Sequence, residues 1–140
     1  MTDPSGLTVL SSRQPFVTLH ASGLDGPKTR QRVICRDQET PPWLAAYARY
    51  VEPGQVLLAV AMGRARLGAT TRIRSIVTFK PQRGREPFTC VYVEEDAREG
   101  TAARVAAPVH IVRCDALPRQ VRFVEVASET PSSPRHLYLT

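Results

Sequence analysis

The chain of 140 residues has no asparagine, only two lysines (Lys28 and Lys80), three cysteines, and aromatic side chains at just 6% of its positions. Nowhere does an apolar run approach the roughly 18 to 20 residues that a helix needs to cross a bilayer, so no membrane is expected among its partners. The cysteines, Cys35, Cys90 and Cys114, are odd in number and show no C-x-x-C spacing, which argues against a disulfide framework and against a zinc ribbon. They read as small core residues. Residues 1–6 lack the basic start and continuous apolar stretch of a secretory signal. A reducing interior is therefore expected, intracellular (cytoplasmic) or within a virus particle.

The scarcity of lysine sits beside a surplus of arginine. Nineteen basic side chains face thirteen acidic ones, for a net charge of +6, and seventeen of the nineteen are arginine. This balance favours weak attraction to polyanions. The planar guanidinium suits phosphate because it offers two hydrogen bonds at once. GC-rich coding, which favours Arg, Ala, Gly and Pro over Lys and Asn, would produce the same composition.

A chain of this length fits one domain that buries about 70% of the surface its extended form exposes, with no need of a disulfide or a metal. The reading is a single β-rich domain over residues 1–140, with a polar tail segment at 128–136. Residues 56–62 are apolar at every position, as a strand buried on both faces must be. Residues 71–80 instead alternate, placing Ile73, Val77 and Phe79 on one face and Arg72, Arg74 and Lys80 on the other. Further strands are predicted at 7–10, 16–21, 30–36, 88–94, 105–114, 121–127 and 137–139. In the second of these, Phe16, Thr18 and His20 share a face. Pro108 would restrict its strand to an edge or a bulge because it cannot donate to a ladder. Gly84, in the proline-flanked segment 81–87, suits a hairpin that needs positive φ.

One short helix is predicted over residues 41–51, capped by Thr40 and stopped by Glu52-Pro53-Gly54, with Trp43, Tyr47, Tyr50 and Val51 on its buried side. About eight strands and one helix point to a mainly β fold, an antiparallel sandwich or a partly open barrel, rather than a βαβ array.

Three motifs invite chemistry. The segment Gly63-Arg64-Ala65-Arg66-Leu67-Gly68-Ala69-Thr70 has the glycine spacing of a phosphate loop, but Ala69 stands where the lysine belongs and a strand follows instead of a helix. His110 and Cys114 share one strand face yet stand about 13 Å apart along it, too far to hold one zinc. His20 and Asp25, five apart beside Ser22 and a glycine turn, could form an acid–base pair. Ordinary strand and turn composition is the stronger account of this pair. A hot-dog-like thioesterase is the enzyme alternative, since that fold wraps a sheet round one helix at about this length. The run Glu94-Glu95-Asp96 reads as a solvated loop that discourages edge pairing.

No catalytic, metal or cofactor set is therefore expected. Positive charge concentrates between Arg30 and Lys80 and the strongest acidic run follows it, a separation that lets copies pair head to tail. The leading expectation is a non-enzymatic structural or interaction protein, a subunit of a homo-oligomer, a virion or phage particle, or a nucleoprotein complex. The binding alternative is sequence-tolerant contact with nucleic acid through Arg30, Arg32, Arg64, Arg66, Arg72, Arg74 and Lys80, extended by Arg83 and Arg85, provided that these segments adjoin. Against it, the alternation sets Phe79 on the face opposite those arginines, which leaves no ring to stack on.

Overall fold

Alternating side chains, and the places where alternation breaks, decide how the strands stack. The computed structural model describes residues 9–36, 40–81, 84–97 and 105–127. Among these residues the order is β1 (Val9–Arg13), β2 (Phe16–Ser22), β3 (Gln31–Cys35), a 3-10 helix (Pro42–Tyr50), β4 (Gln55–Ala61), β5 (Ala65–Arg66), β6 (Thr70–Pro81), β7 (Phe88–Asp96), β8 (Val105–Ala106), β9 (Val109–Asp115) and β10 (Gln120–Val126). One sheet has the order β1-β6-β7-β10 and a second the order β2-β9-β4-β3, while β5 and β8 form a short ribbon. This is the expected sandwich. Pairing is antiparallel except that β10 runs parallel to β7.

Every residue of β4 after Gln55 is buried, because the strand is covered on both sides. Val56, Leu58 and Val60 join Ile73, Ile76, Val91, Val93, Val112 and Cys114 in the layer between the two sheets. Leu57, Ala59 and Ala61 point the other way, with Val109 and Ile111, against Leu44, Trp43, Tyr47 and Val51 of the helix and its end. The molecule is thus three layers deep on this side: sheet, sheet and helix.

The helix departs from expectation in its geometry. It is a 3-10 helix of nine residues whose N-cap position is Pro41, with no side-chain cap, and Thr40 instead hydrogen-bonds the Cys35 thiol. In a 3-10 helix residues three apart eclipse one another, so Leu44 and Tyr47 share the buried side, Leu44 completely. Tyr50, expected among the buried residues, is 45% exposed, and its ring lies 4.9 Å from the Arg49 guanidinium.

Two strands carry bulges, and one imidazole binds both. The β6–β7 register shifts between Ile73 and Ser75, and the β2–β9 register shifts between Thr18 and His20. The Ile73 amide donates to His110 Nδ1 at 2.8 Å. With Nδ1 accepting, Nε2 carries the proton and donates to Thr18 Oγ1 at 2.9 Å. A buried amide released from its ladder needs such an acceptor, so His110 of β9 ties the two sheets together at their irregular points.

Each bulge reverses the strand's alternation beyond it. In β6, Thr71 and Ile73 face inward before the bulge, Ile76 and Thr78 after it, and Val77 and Phe79 turn out. The expected grouping of Ile73 with Val77 and Phe79, and of Lys80 with Arg72, is corrected accordingly: Phe79 lies on the same side of the sheet as Arg72, and Lys80 on that of Ile73. In β2, Phe16 and Thr18 face His110, whereas His20 packs on the other side against Tyr47, at 5.7 Å between ring centroids.

Pro108 splits the expected 105–114 strand into β8 and β9. It is neither at an edge nor within a bulge, because it precedes β9, and β9 then takes a central place between β2 and β4. Gly84 has φ +74 at the β6–β7 turn, as its hairpin role requires. The expected strand at 137–139, the polar tail at 128–136 and Arg83 lie outside the described residues.

Candidate interaction surface

Of the nine cations named from the sequence, the eight that the structure describes do not form one surface. Arg30 and Arg32 sit at one edge of the inter-sheet layer, where both reach Glu95 Oε1, at 2.6 and 3.2 Å, and Glu125. Glu95 is only 5% exposed and also accepts from the Thr71 hydroxyl. Glu125 is held below the usual carboxylate range by its hydrogen bonds with Glu95 and Arg30. These two arginines are consumed by the protein itself. Arg72 and Arg74 converge on Glu94 across β6 and β7, at 3.3 and 3.9 Å. Arg64 and Arg66 are exposed on the segment that carries β5, where the Arg64 amide bonds the Lys28 carbonyl. Lys80 and Arg85 are exposed at the opposite end of β6, about 26 Å from Arg72 along the strand.

Gly63 and Gly68, the glycines of the apparent phosphate loop, have φ +79 and +97 and flank β5, with no helix after them. A Cβ on Gly63 would come within 2.7 Å of the Arg30 amide nitrogen. Close backbone packing explains this glycine.

The outer face of β1-β6-β7-β10 is the surface that sequence reasoning missed. The cross-strand pair Phe79 and Phe88 stacks at 5.1 Å between centroids and 20° between planes. Arg122 of β10 stands over the Phe88 ring at 5.8 Å. Around these rings the register adds Val77, Cys90, Tyr92 and Val124, with Ser11 opposite Phe79 and Arg13 opposite Val77 on β1. Inward-facing Thr78 and Thr89 sit directly behind the rings, joined by a buried 2.8 Å hydrogen bond that holds the two strands in register. Burial pushes the Tyr92 hydroxyl up, and its neighbour Cys90 adds to this. The signal for this surface lay in one unusual residue, a histidine on the otherwise apolar inner face of β9.

The His20 and Asp25 pair does form. His20 Nε2 lies 2.9 Å from both carboxylate oxygens, and this hydrogen bond is the main reason that Asp25 is held below its usual value. The pair borders a pocket of about 340 Å³ with Lys28, Trp43, Tyr47 and Ile111. Ser22, the neighbouring hydroxyl, is occupied as an acceptor for the Leu24 and Asp25 amides, which makes it a turn residue. Among the described residues no sheet wraps round a helix: the inner face of each large sheet packs on the other, and the nine-residue helix lies outside them.

His110 is 6% exposed, and desolvation, helped by the charge of Arg72, lowers its pKa to about 4. Burial, with Asp115 nearby, pushes the Cys114 thiol up to about 12. Both are therefore neutral structural groups near pH 7. Among the described residues no three His, Cys, Asp or Glu side chains gather as metal ligands, and no helix is long and apolar enough to cross a membrane. Comparison with family models, curated proteins and solved structures finds no match to this chain.

Proposed function

We propose that this chain is a non-enzymatic interaction protein, a subunit of a larger assembly, and that it docks through the outer face of β1-β6-β7-β10. The observation that carries this reading is the unequal treatment of the two outer faces. One is sealed by Leu44, Trp43, Tyr47 and Val51, while the other presents Phe79, Phe88, Tyr92 and Val77, all only partly buried, with no layer over them among the described residues. Aromatic side chains framed by arginine are the composition that recognition surfaces favour.

Light scattering coupled to absorbance at 260 and 280 nm tests the reading on the purified full chain, at low and at high salt. The expected result is a species larger than a monomer, composed of copies or of a nucleoprotein, that collapses to the monomer in the Phe79→Glu, Phe88→Glu double variant. A wild-type protein that is monomeric and free of bound polymer at both salt concentrations would overturn it.

A further inference from the structure

We propose that the occupant of this face is single-stranded nucleic acid, bound without sequence preference, with Phe79 and Phe88 as stacking rings and Arg13, Arg85 and Arg122 as phosphate contacts. The inference deepens the interaction reading above and rests on it. It also replaces the arginine set suggested by the sequence: Arg13 and Arg122 enter, while Arg30 and Arg32 leave because Glu95 and Glu125 neutralise them.

Stacking needs a ring with room beside it. The β1 register places Ser11, a small side chain, opposite Phe79, so the flank of that ring away from Phe88 faces a low neighbour. A planar base fits beside Phe79 and extends the column of rings that continues through Phe88 to the Arg122 guanidinium. Base stacking on an aromatic side chain tolerates every base, since each has a π-face. The bulge at Ile73 and Ser75, bonded by His110, is what brings Phe79 to this side.

Charge selects a polyanion over a neutral protein surface. Arg13 and Arg122 project from this face and Arg85 is exposed in the turn before Phe88, and these three have no acidic partner among the described residues. Glu94, on the outer side of β7, is engaged by Arg72 and Arg74. The core of a protein interface is depleted in charge, whereas a groove for single strands combines cations with rings. Duplex is disfavoured because its bases are already stacked on one another and cannot stack on the rings.

Three phosphate contacts to a single strand predict a log–log salt slope of about −2, so raising salt from 50 to 200 mM should weaken binding roughly twenty-fold. Fluorescence anisotropy with a labelled 20-nucleotide oligo-dT, the matching duplex and polyglutamate measures this on the intact chain. The expected results are salt-dependent binding of oligo-dT in preference to both competitors, a loss of tenfold or more in Phe88→Ala, and a slope shallower by about 0.7 in Arg122→Ala. Phe88→Leu keeps an apolar side chain on this partly exposed position but removes the ring, so it should lose affinity while melting close to wild type. Tighter binding of duplex or polyglutamate would overturn the inference, as would oligo-dT affinity indifferent to Phe88→Leu. Failure to bind oligo-dT by a protein that still forms a Phe88-dependent oligomer would remove nucleic acid and leave the interaction reading standing.

Discussion

The two large sheets share one inner layer, yet their outer faces are finished differently. Outside β2-β9-β4-β3 the residues are aliphatic and small, Leu57, Ala59, Ala61, Val109 and Ile111, and the 3-10 helix lies directly on them. Outside β1-β6-β7-β10 the apolar residues are rings and branched side chains set among Arg13, Arg72, Arg122 and Glu94, and no described element packs over them. Small aliphatic side chains let a helix approach closely, whereas rings with cationic neighbours form a surface that stays compatible with water until a partner arrives. The difference separates a face built for stability from one available for contact.

That comparison can be broken in stages. The largest effect is expected on the covered face: Leu44→Ala, at a completely buried position, should cost about 2 to 5 kcal/mol in a urea titration. A loss below about 1 kcal/mol would mean that the helix is not a packed layer.

Next comes the histidine between the faces. The ordinary His pKa of 6.5 drops to about 4 in the folded protein, so the unfolded chain takes up its proton first as the solution is acidified. The stabilising contribution is fully present above pH 6.5 and declines as pH falls toward 4, by roughly 3 kcal/mol in all. Denaturation midpoints measured at pH 7, 5.5 and 4 should show this decline, and His110→Phe should flatten it. An equal decline in that variant would assign the acid sensitivity to other groups.

On the open face the stability effect should be small. Phe88→Leu removes a cross-strand ring pair worth about 0.2 to 1 kcal/mol. A loss approaching that of Leu44→Ala would show Phe88 to be core and erase the distinction between the faces. The smallest effect belongs to Arg64→Ala and Arg66→Ala, exposed and remote from the rings, which should change stability by no more than about 0.5 kcal/mol and leave oligo-dT affinity unaltered. Weakened binding in either variant would relocate the surface toward β5.

Much of the architecture was legible because hydrophobic period reports burial directly. The unbroken apolar run of β4 announced a strand covered on both sides, and Gly84 marked its turn. Period fails at bulges, because one extra residue reverses every side chain beyond it while leaving the sequence locally ordinary. Period alone therefore places Phe79 on the interior side and groups Thr18 with His20. Ion pairing was equally hidden: nothing local to Arg30 or Arg32 indicates that Glu95 and Glu125, far along the chain, meet them across the sandwich. His110 stands out in the sequence as a ligand type, but a histidine on an inward face shared with Val112 and Cys114 is equally the signature of an acceptor for an amide displaced from its ladder.

The most direct measurement is an NMR titration of isotope-labelled protein with oligo-dT, following backbone amides and the Phe79, Phe88, Trp43 and Tyr47 ring signals together. The account predicts shifts concentrated on β1, β6, β7 and β10, with the Phe79 and Phe88 rings moving most and Trp43 and Tyr47 unmoved. Shifts centred on the 3-10 helix, or no shifts at concentrations well above those of the anisotropy experiment, would contradict it.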